Sequence, residues 1–488
     1  MVNSNFSVAA VLTATCLFSS YITGISASQI SGQCATSRYA RQPRALIATD
    51  MSNEPDDQMS LVRLLTYANE INITTIAGIT SNWKNDSIDL DTIKTVIGGY
   101  GTVVDSLNAN LVYGAIAYPT SDELLGRVRA GWPVYGLAAL DQDEISDAAK
   151  QLIQDVDESS ISDPQYVLLW GGANVLAEAL HYVTKNRISS SVDEFVSKVR
   201  VYSISDQDNA GIWIRSNYPK IFYVVSLQGM NEYIMASWNG ISGEKFRHFD
   251  QGGPDSSIVT NEWLDEHIRF GPLGAHYPQY QFIMEGDTPS YFPLIQNGLG
   301  DPEHPEWGSW GGRFTPQDIS GLHRVYADTA DYVRGQSGNM YYSSFATIWR
   351  WRQAYQYDFA ARMQWTTTGF NGTNHAPVAV VNGTCGPEAL KLNYRFGDSV
   401  VLDASESWDP DGDDLSFHWL HYREVVQRLE GQIDSESKNV SIESLNDQGS
   451  QVSLTPLSNI TTHIILQVQD THEINITTYR RVILDPIE

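Results

Sequence analysis

The stretch that most constrains this chain is Thr49-Asp50-Met51-Ser52-Asn53-Glu54-Pro55-Asp56-Asp57. It follows Ala45-Leu46-Ile47-Ala48, an apolar run of strand length, and precedes Leu61, Val62, Leu64, Leu65 and Ala68 at helical spacing. Asn53 and Pro55 favour a turn, so the acids sit where a strand ends and a helix begins. Asp50, Glu54, Asp56 and Asp57 in so short a loop repel one another unless a cation lies between them. All-oxygen ligands suit a hard divalent cation, and flexible loop carboxylates suit calcium better than magnesium. The competing reading is a solvated acidic loop, with Asp56 or Asp57 complementing the amide-rich start of the helix. Position favours the metal, because ligands of open α/β sheets bind at the carboxyl ends of strands.

Beyond this turn, strand-like and helix-like runs alternate. Ile73–Ile79, Tyr166–Trp170, Val199–Ile204 and Ile221–Val225 read as strands, and Ile88–Tyr100, Asn174–Val183 and Ala210–Ser216 as helices. The alternation predicts an α/β domain: a doubly wound, mostly parallel sheet with helices on both faces. Residues Gly271 to Thr315 are irregular and rich in Pro, Gly and aromatics, which marks a functional loop rather than disorder. Ala327 to Trp365 reads as helical, and Thr366–Asn374 as a linker. After it come short alternating runs, Val378–Val381, Val400–Leu402, Leu415–His418, Val452–Leu454, Ile464–Val468 and Tyr479–Ile483, which predict a small β-sandwich.

At 488 residues and 42% hydrophobic content the chain holds more than one domain. The net charge of −27 argues against nucleic acid and against anionic membrane surfaces, and favours cations. Thirteen Trp and 25 Tyr suit sugar-binding surfaces, although most such residues pack cores. Residues 1–27 read as a signal peptide, with an apolar run over Val8–Leu17 too short to span a bilayer; a secreted, extracellular product is expected. Without Cys16, only Cys34 and Cys385 remain, to pair in an oxidising compartment or stay as free thiols. Sequons at Asn72, Asn85, Asn371, Asn382, Asn439, Asn459 and Asn475 fit a glycoprotein.

Strand, Asp, short turn, Asp-Asp and helix resemble the N-terminal signature of nucleoside hydrolases, D-x-D-P-G-x-D-D. The wording around Asp50 is closer to the nucleoside-hydrolase-like domain of a microbial family named for cellulose binding. That resemblance covers about residues 42–370. Val401 to Asp414, followed by Phe417-His418-Trp419, resembles PKD-type and cadherin-like immunoglobulin-fold modules over residues 375–488. Asp409–Asp414 reads equally as a structural calcium loop or a plain Asp/Gly turn.

The resemblance implies one calcium that holds sugar hydroxyls and positions a water, with a carboxylate as general base. The acid spacing departs from the signature, leaving Asp50 and Glu54 to compete for the first position; Asp50, directly after the strand, is preferred. Asp56, Asp57 and Asp287 are the further metal carboxylates, and Asn174 lends a backbone carbonyl from Gly171-Gly172-Ala173-Asn174. Asn82 and Asp206 fall on sugar-side loops, with an N-cap role as the alternative for Asp206. The family's late His-Asp pair is missing; Glu285-Gly286-Asp287 takes its place, with Glu285 beside the substrate and His304 a weak candidate acid. Trp307, Trp310 and Arg313 would stack on a base or a sugar ring, or else pack the loop.

Two functions follow. The first is a secreted, calcium-dependent hydrolase of N-glycosyl bonds with Asp50 as base. The second is a carbohydrate-binding protein, with cellulose as the ligand, that keeps the enzyme fold without catalysis. O-glycoside hydrolysis by the same carboxylates is a third, milder option.

Overall fold

The computed structural model describes residues 42–425 and 440–487, with Met1 and Cys34. The expected signal segment, apart from Met1, and the Asn439 sequon lie outside the described residues. The first domain is built on one eight-stranded sheet. Its strands are β1 (Arg44–Thr49), β2 (Asn72–Gly78), β3 (Val128–Ala130), β4 (Gln165–Leu169), β5 (Val199–Ser205), β6 (Phe222–Ser226), β7 (Phe314–Pro316) and β8 (Val325–Asp328). They lie in the order β3-β2-β1-β4-β5-β6-β8-β7. Every pairing is parallel except β7 with β8.

Ala45, Leu46, Ile47 and Ala48 are all buried because β1 is covered on both faces. Ala45 and Ile47 join a core with Leu61, Leu64 and Phe359, while Leu46 and Ala48 join one with Leu152, Leu176 and Ile214. The chain winds from β1 outward to β2 and β3, then returns to β4 on the opposite side of β1. The crevice at the carboxyl ends of β1 and β4 is therefore the topological switch point, where such sheets bind ligands. The acidic turn leaves β1 there.

Three stretches differ from expectation. Ala327–Ser343 is not helical: the end of β8 is followed by the hairpin of β9 (Asp331–Arg334) and β10 (Met340–Ser343). Gly335 and Gly338 form the turn, and helix begins only at Ala346, continuing as Arg352–Trp365. Residues 271–315 hold short helical turns, and Tyr291, Phe292 and Trp310 are buried. Thr366–Asn374 is no loose tether: Asn374 donates through Nδ2 to Asp470 Oδ2 at 3.1 Å and to the Ile474 carbonyl at 2.8 Å.

The C-terminal unit packs two sheets on a shared apolar core. One is β11 (Leu390–Tyr394), β17 (Thr477–Pro486), β16 (Thr462–Asp470) and β13 (Leu415–His421); the other is β12 (Val400–Asp403), β15 (Gln451–Pro456) and β14 (Val440–Ser444). Val378 and Val381 make only isolated bridges rather than a strand. Cys34 and Cys385 form a disulfide, tying the N-terminal segment to this unit. Among the described residues no helix is long and apolar enough to cross a membrane.

Candidate active site

Asp50, Glu54, Asp56, Asp57 and Asp287 line one cavity of about 340 Å³ at the switch point. Asp50 directly follows β1, Asp56 and Asp57 open the Asp56–Leu65 helix, and Asp287 comes from a loop more than two hundred residues later. Asp56, Asp57 and Asp287 each bring an oxygen to within 4.8 Å of the others. Thr49 donates its hydroxyl to Asp57 Oδ1. Asp50 Oδ2 and Asp287 Oδ2 are buried without a hydrogen-bond partner.

Burial, and then mutual repulsion, push these carboxyls up. Asp56 rises to about 7 through burial and the charges of Glu54 and Asp50. Asp50 rises to about 6 through burial, against a hydrogen bond from Ser81. Asp57 and Asp287 are raised well above the usual carboxylate range, by burial first and by neighbouring aspartates next. Several buried acids with two orphaned oxygens make an all-oxygen donor set of the kind a hard cation accepts. The residues present fit such an ion.

Glycine lets these acids approach the backbone. A Cβ on Gly286 would lie 2.6 Å from Asp56 Oδ2, and one on Gly171 would lie 2.9 Å from Asp50 Oδ1. Glu285, with φ at 57°, sets up the turn that delivers Asp287. Its carboxylate pairs with Arg63, which also donates to the Tyr355 carbonyl at 2.8 Å. Tyr277 and Thr288 donate to the same carboxylate.

Glu285 is therefore a buried positioning residue and not a substrate contact. Asp206 is paired with Arg215 at 2.6 Å, and only its backbone carbonyl faces the site, accepting from Tyr233. Asn82 lies one step outside the cavity wall, donating to Asn231 at 3.2 Å. Asn174 is fully buried and off the wall, its side chain turned to Thr80 at 3.2 Å. Trp310 packs on Phe292 and donates to Tyr479 across the junction of the two units. Arg313 pairs with Asp331 at 2.7 Å, and Trp307 stacks between His304 and Arg481. Trp307 and Trp310 meet the C-terminal unit directly, and Arg313 reaches it through Asp331, which accepts from Tyr422. His304 is held by Glu306 at 2.8 Å, away from the cavity.

The wall also carries residues that the sequence did not mark as belonging to the site: Trp83, Trp170, Tyr233, Trp238, Gln207 and Arg247. Ser81-Asn82-Trp83 was a visible signal for the first, but the side chain that reaches the cavity is Trp83. A second acidic group, Asp409, Asp411 and Asp413, gathers on the C-terminal unit, where Asp411 is held by His375 at 2.8 Å.

Residues 44–314 match the family described as cellulose-binding Sde182, nucleoside hydrolase-like domain. The chain belongs to this family. Residues 399–486 match the cellulose-binding protein Sde0182, C-terminal domain, so both units of the Sde182 architecture are present in order. A solved structure of a nucleoside hydrolase-related hypothetical protein from Saccharophagus degradans, associated with carbohydrate metabolism, is 30% identical. It covers 92% of this chain and 100% of its own, with a TM-score of 0.74, which establishes the nucleoside-hydrolase-like sheet for the Sde182 domain. The PKD domain of the KIAA 1837 protein matches at 22% identity over 20% of this chain and 80% of its own, with a TM-score of 0.15. The type III effector XopQ, solved with adenosine diphosphate ribose, matches at 12% identity over 68% of this chain and 96% of its own, with a TM-score of 0.29. At those scores neither bears on the site. No curated protein matches the chain.

Proposed function

We propose that this Sde182-family protein is a secreted hydrolase of N-glycosyl bonds, with its substrate held in the acidic cavity. The observation that carries the reading is the unpartnered Oδ2 of both Asp50 and Asp287 beside Asp56 and Asp57. Calcium bound to Asp56, Asp57 and Asp287 would supply Lewis-acid polarisation of a water and of sugar hydroxyls. Asp50 takes the proton of the attacking water as its oxygen bonds to the anomeric carbon and the C–N bond breaks. Burial, which raises the Asp50 carboxyl, offsets the pull of a bound cation and keeps it basic enough to accept a proton. The remaining carboxylate, Glu54, stabilises positive charge building on the sugar ring. Trp170 and Trp238 exclude water from the walls. The Cys34–Cys385 disulfide supports an oxidising, extracellular setting.

A second reading, carbohydrate binding without catalysis, draws on one observation. No histidine lines the cavity among the described residues, so the usual protonating group for a leaving nitrogen is missing. The family description makes cellulose the ligand to test.

The experiment is turnover of a ribonucleoside panel by the purified protein, with and without chelator, beside a cellulose pull-down. Chelator-sensitive release of free base supports the hydrolase. Cellulose retention with no turnover of any nucleoside overturns it in favour of the binding protein.

A further inference from the structure

Most hydrogen-bond donors on the cavity wall are spent on the protein itself. Tyr233 donates to the Asp206 carbonyl at 3.1 Å and Trp238 Nε1 to Ser205 Oγ at 3.1 Å. Trp170 Nε1 donates to Ser290 Oγ at 2.8 Å, and Gln207 Nε2 to the Trp170 carbonyl at 2.8 Å.

Arg247 is different. It is the one cationic residue lining the cavity among the described residues, and it closes the short Glu244–Arg247 helical turn. Its Nε is buried and meets no hydrogen-bond partner. Phe282 lies beneath the guanidinium at 5.8 Å, fixing its plane. Glu54 and Asp56 are the charges that face it, and among the described residues its Nε meets neither. Arg247 is half-buried whereas Asp50, Asp57 and Asp287 are buried, so it lies nearer the mouth of the cavity than the acids that would hold the sugar.

We infer that Arg247 binds the leaving group, its Nε–H and an adjacent guanidinium N–H donating to an oxygen or ring nitrogen on that group. This rests on the hydrolase reading above and narrows it to N-glycosides whose leaving group carries an acceptor conjugated to the glycosidic nitrogen. Oxopurines, oxopyrimidines and N-acyl groups belong to that class.

The step then balances without a histidine acid. Water oxygen bonds to the anomeric carbon and its proton passes to Asp50. The C–N electron pair moves to the leaving nitrogen and spreads onto the acceptor that Arg247 holds. The nitrogen then takes a proton from solvent, and the guanidinium keeps its own throughout.

The test compares affinity for inosine, purine riboside and free ribose in the calcium-supplemented wild-type protein, Arg247→Gln and Arg247→Lys. Purine riboside lacks the oxo oxygen and so separates oxygen from ring-nitrogen acceptors. Arg247→Gln should weaken inosine binding about tenfold or more and leave ribose within about twofold. Arg247→Lys, which keeps the charge, should recover part of that loss. Calcium affinity should not fall in either variant, because Arg247 donates nothing to the ion and its charge opposes it.

Equal weakening of all three ligands would mean that Arg247 acts only as counter-charge to Glu54 and Asp56, and the inference falls. It falls too if neither variant changes inosine binding, or if the wild type does not prefer inosine over ribose. Base release by the wild type without such discrimination overturns the Arg247 assignment alone. Discrimination without base release supports Arg247 as a ligand contact and overturns the hydrolase reading.

Discussion

Raising pH should destabilise the chelated protein and not the calcium-loaded one. In the unfolded chain Asp50 and Asp56 ionise near 3.8, but in the folded chain burial holds them to about 6 and about 7. Between those values the folded state binds more protons than the unfolded state, so stability falls as pH rises from about 4 to about 7. A shift of roughly two pKa units corresponds to about 3 kcal/mol, and one of roughly three to about 4 kcal/mol. Part of each shift is repulsion between the same two groups, so the joint loss is about 3 to 6 kcal/mol rather than the full sum. That is a large share of the stability of an ordinary domain. Other groups titrate in the same window without touching the site. Asp208 and Asp328 also rise to about 6 through burial, and burial pushes His421 down to about 4. The calcium-minus-chelator difference cancels them. Urea unfolding followed by tryptophan fluorescence, with calcium and with chelator, should show a small difference at pH 4.5. By pH 7.5 the difference should grow to several kcal/mol, because cation binding releases the protons. A difference independent of pH would refute the argument that these buried acids are held together by a cation.

Three further outcomes follow from named contacts. Gly286→Ala would place a Cβ against Asp56 and Trp238, and should lower calcium affinity tenfold or more in a titration while circular dichroism stays native. Arg63→Met strands the buried Glu285 carboxylate and should cost about 3–5 kcal/mol in denaturant; adding Glu285→Gln should restore much of it. Cys34→Ser removes a cross-link spanning 351 residues and should cost about 2–5 kcal/mol by thermal unfolding with the metal site intact.

The sheet was legible because its strands are buried on both faces and read as unbroken apolar runs, as in Ala45–Ala48. The acidic turn was legible because a strand end, turn residues and carboxylates coincide within one short stretch. Asp287 was reached only by its place late in the domain. What brings it to the site, the Arg63–Glu285 pair, joins residues 222 apart and leaves no local signal. Trp307, Trp310 and Arg313 take the packing role, and the sequence left ligand stacking and packing both open for a related reason. A Gly-Trp-rich stretch looks the same whether its partner is a ligand or Tyr479 and Arg481 of the C-terminal unit. Ala327–Ser343 read as part of the helix that follows it, and only the pairing of Tyr332 with Tyr342 decides for a hairpin. Arg247 and Trp238 sit on short helical turns between β6 and β7, too short to show a period that would mark them.

The most direct measurement is anomalous diffraction from crystals grown with manganese or calcium. The account predicts a peak about 2.0–2.6 Å from oxygens of Asp56, Asp57 and Asp287. A cavity without a peak at neutral pH, its carboxyls hydrogen-bonded to one another as protonated pairs, would contradict it.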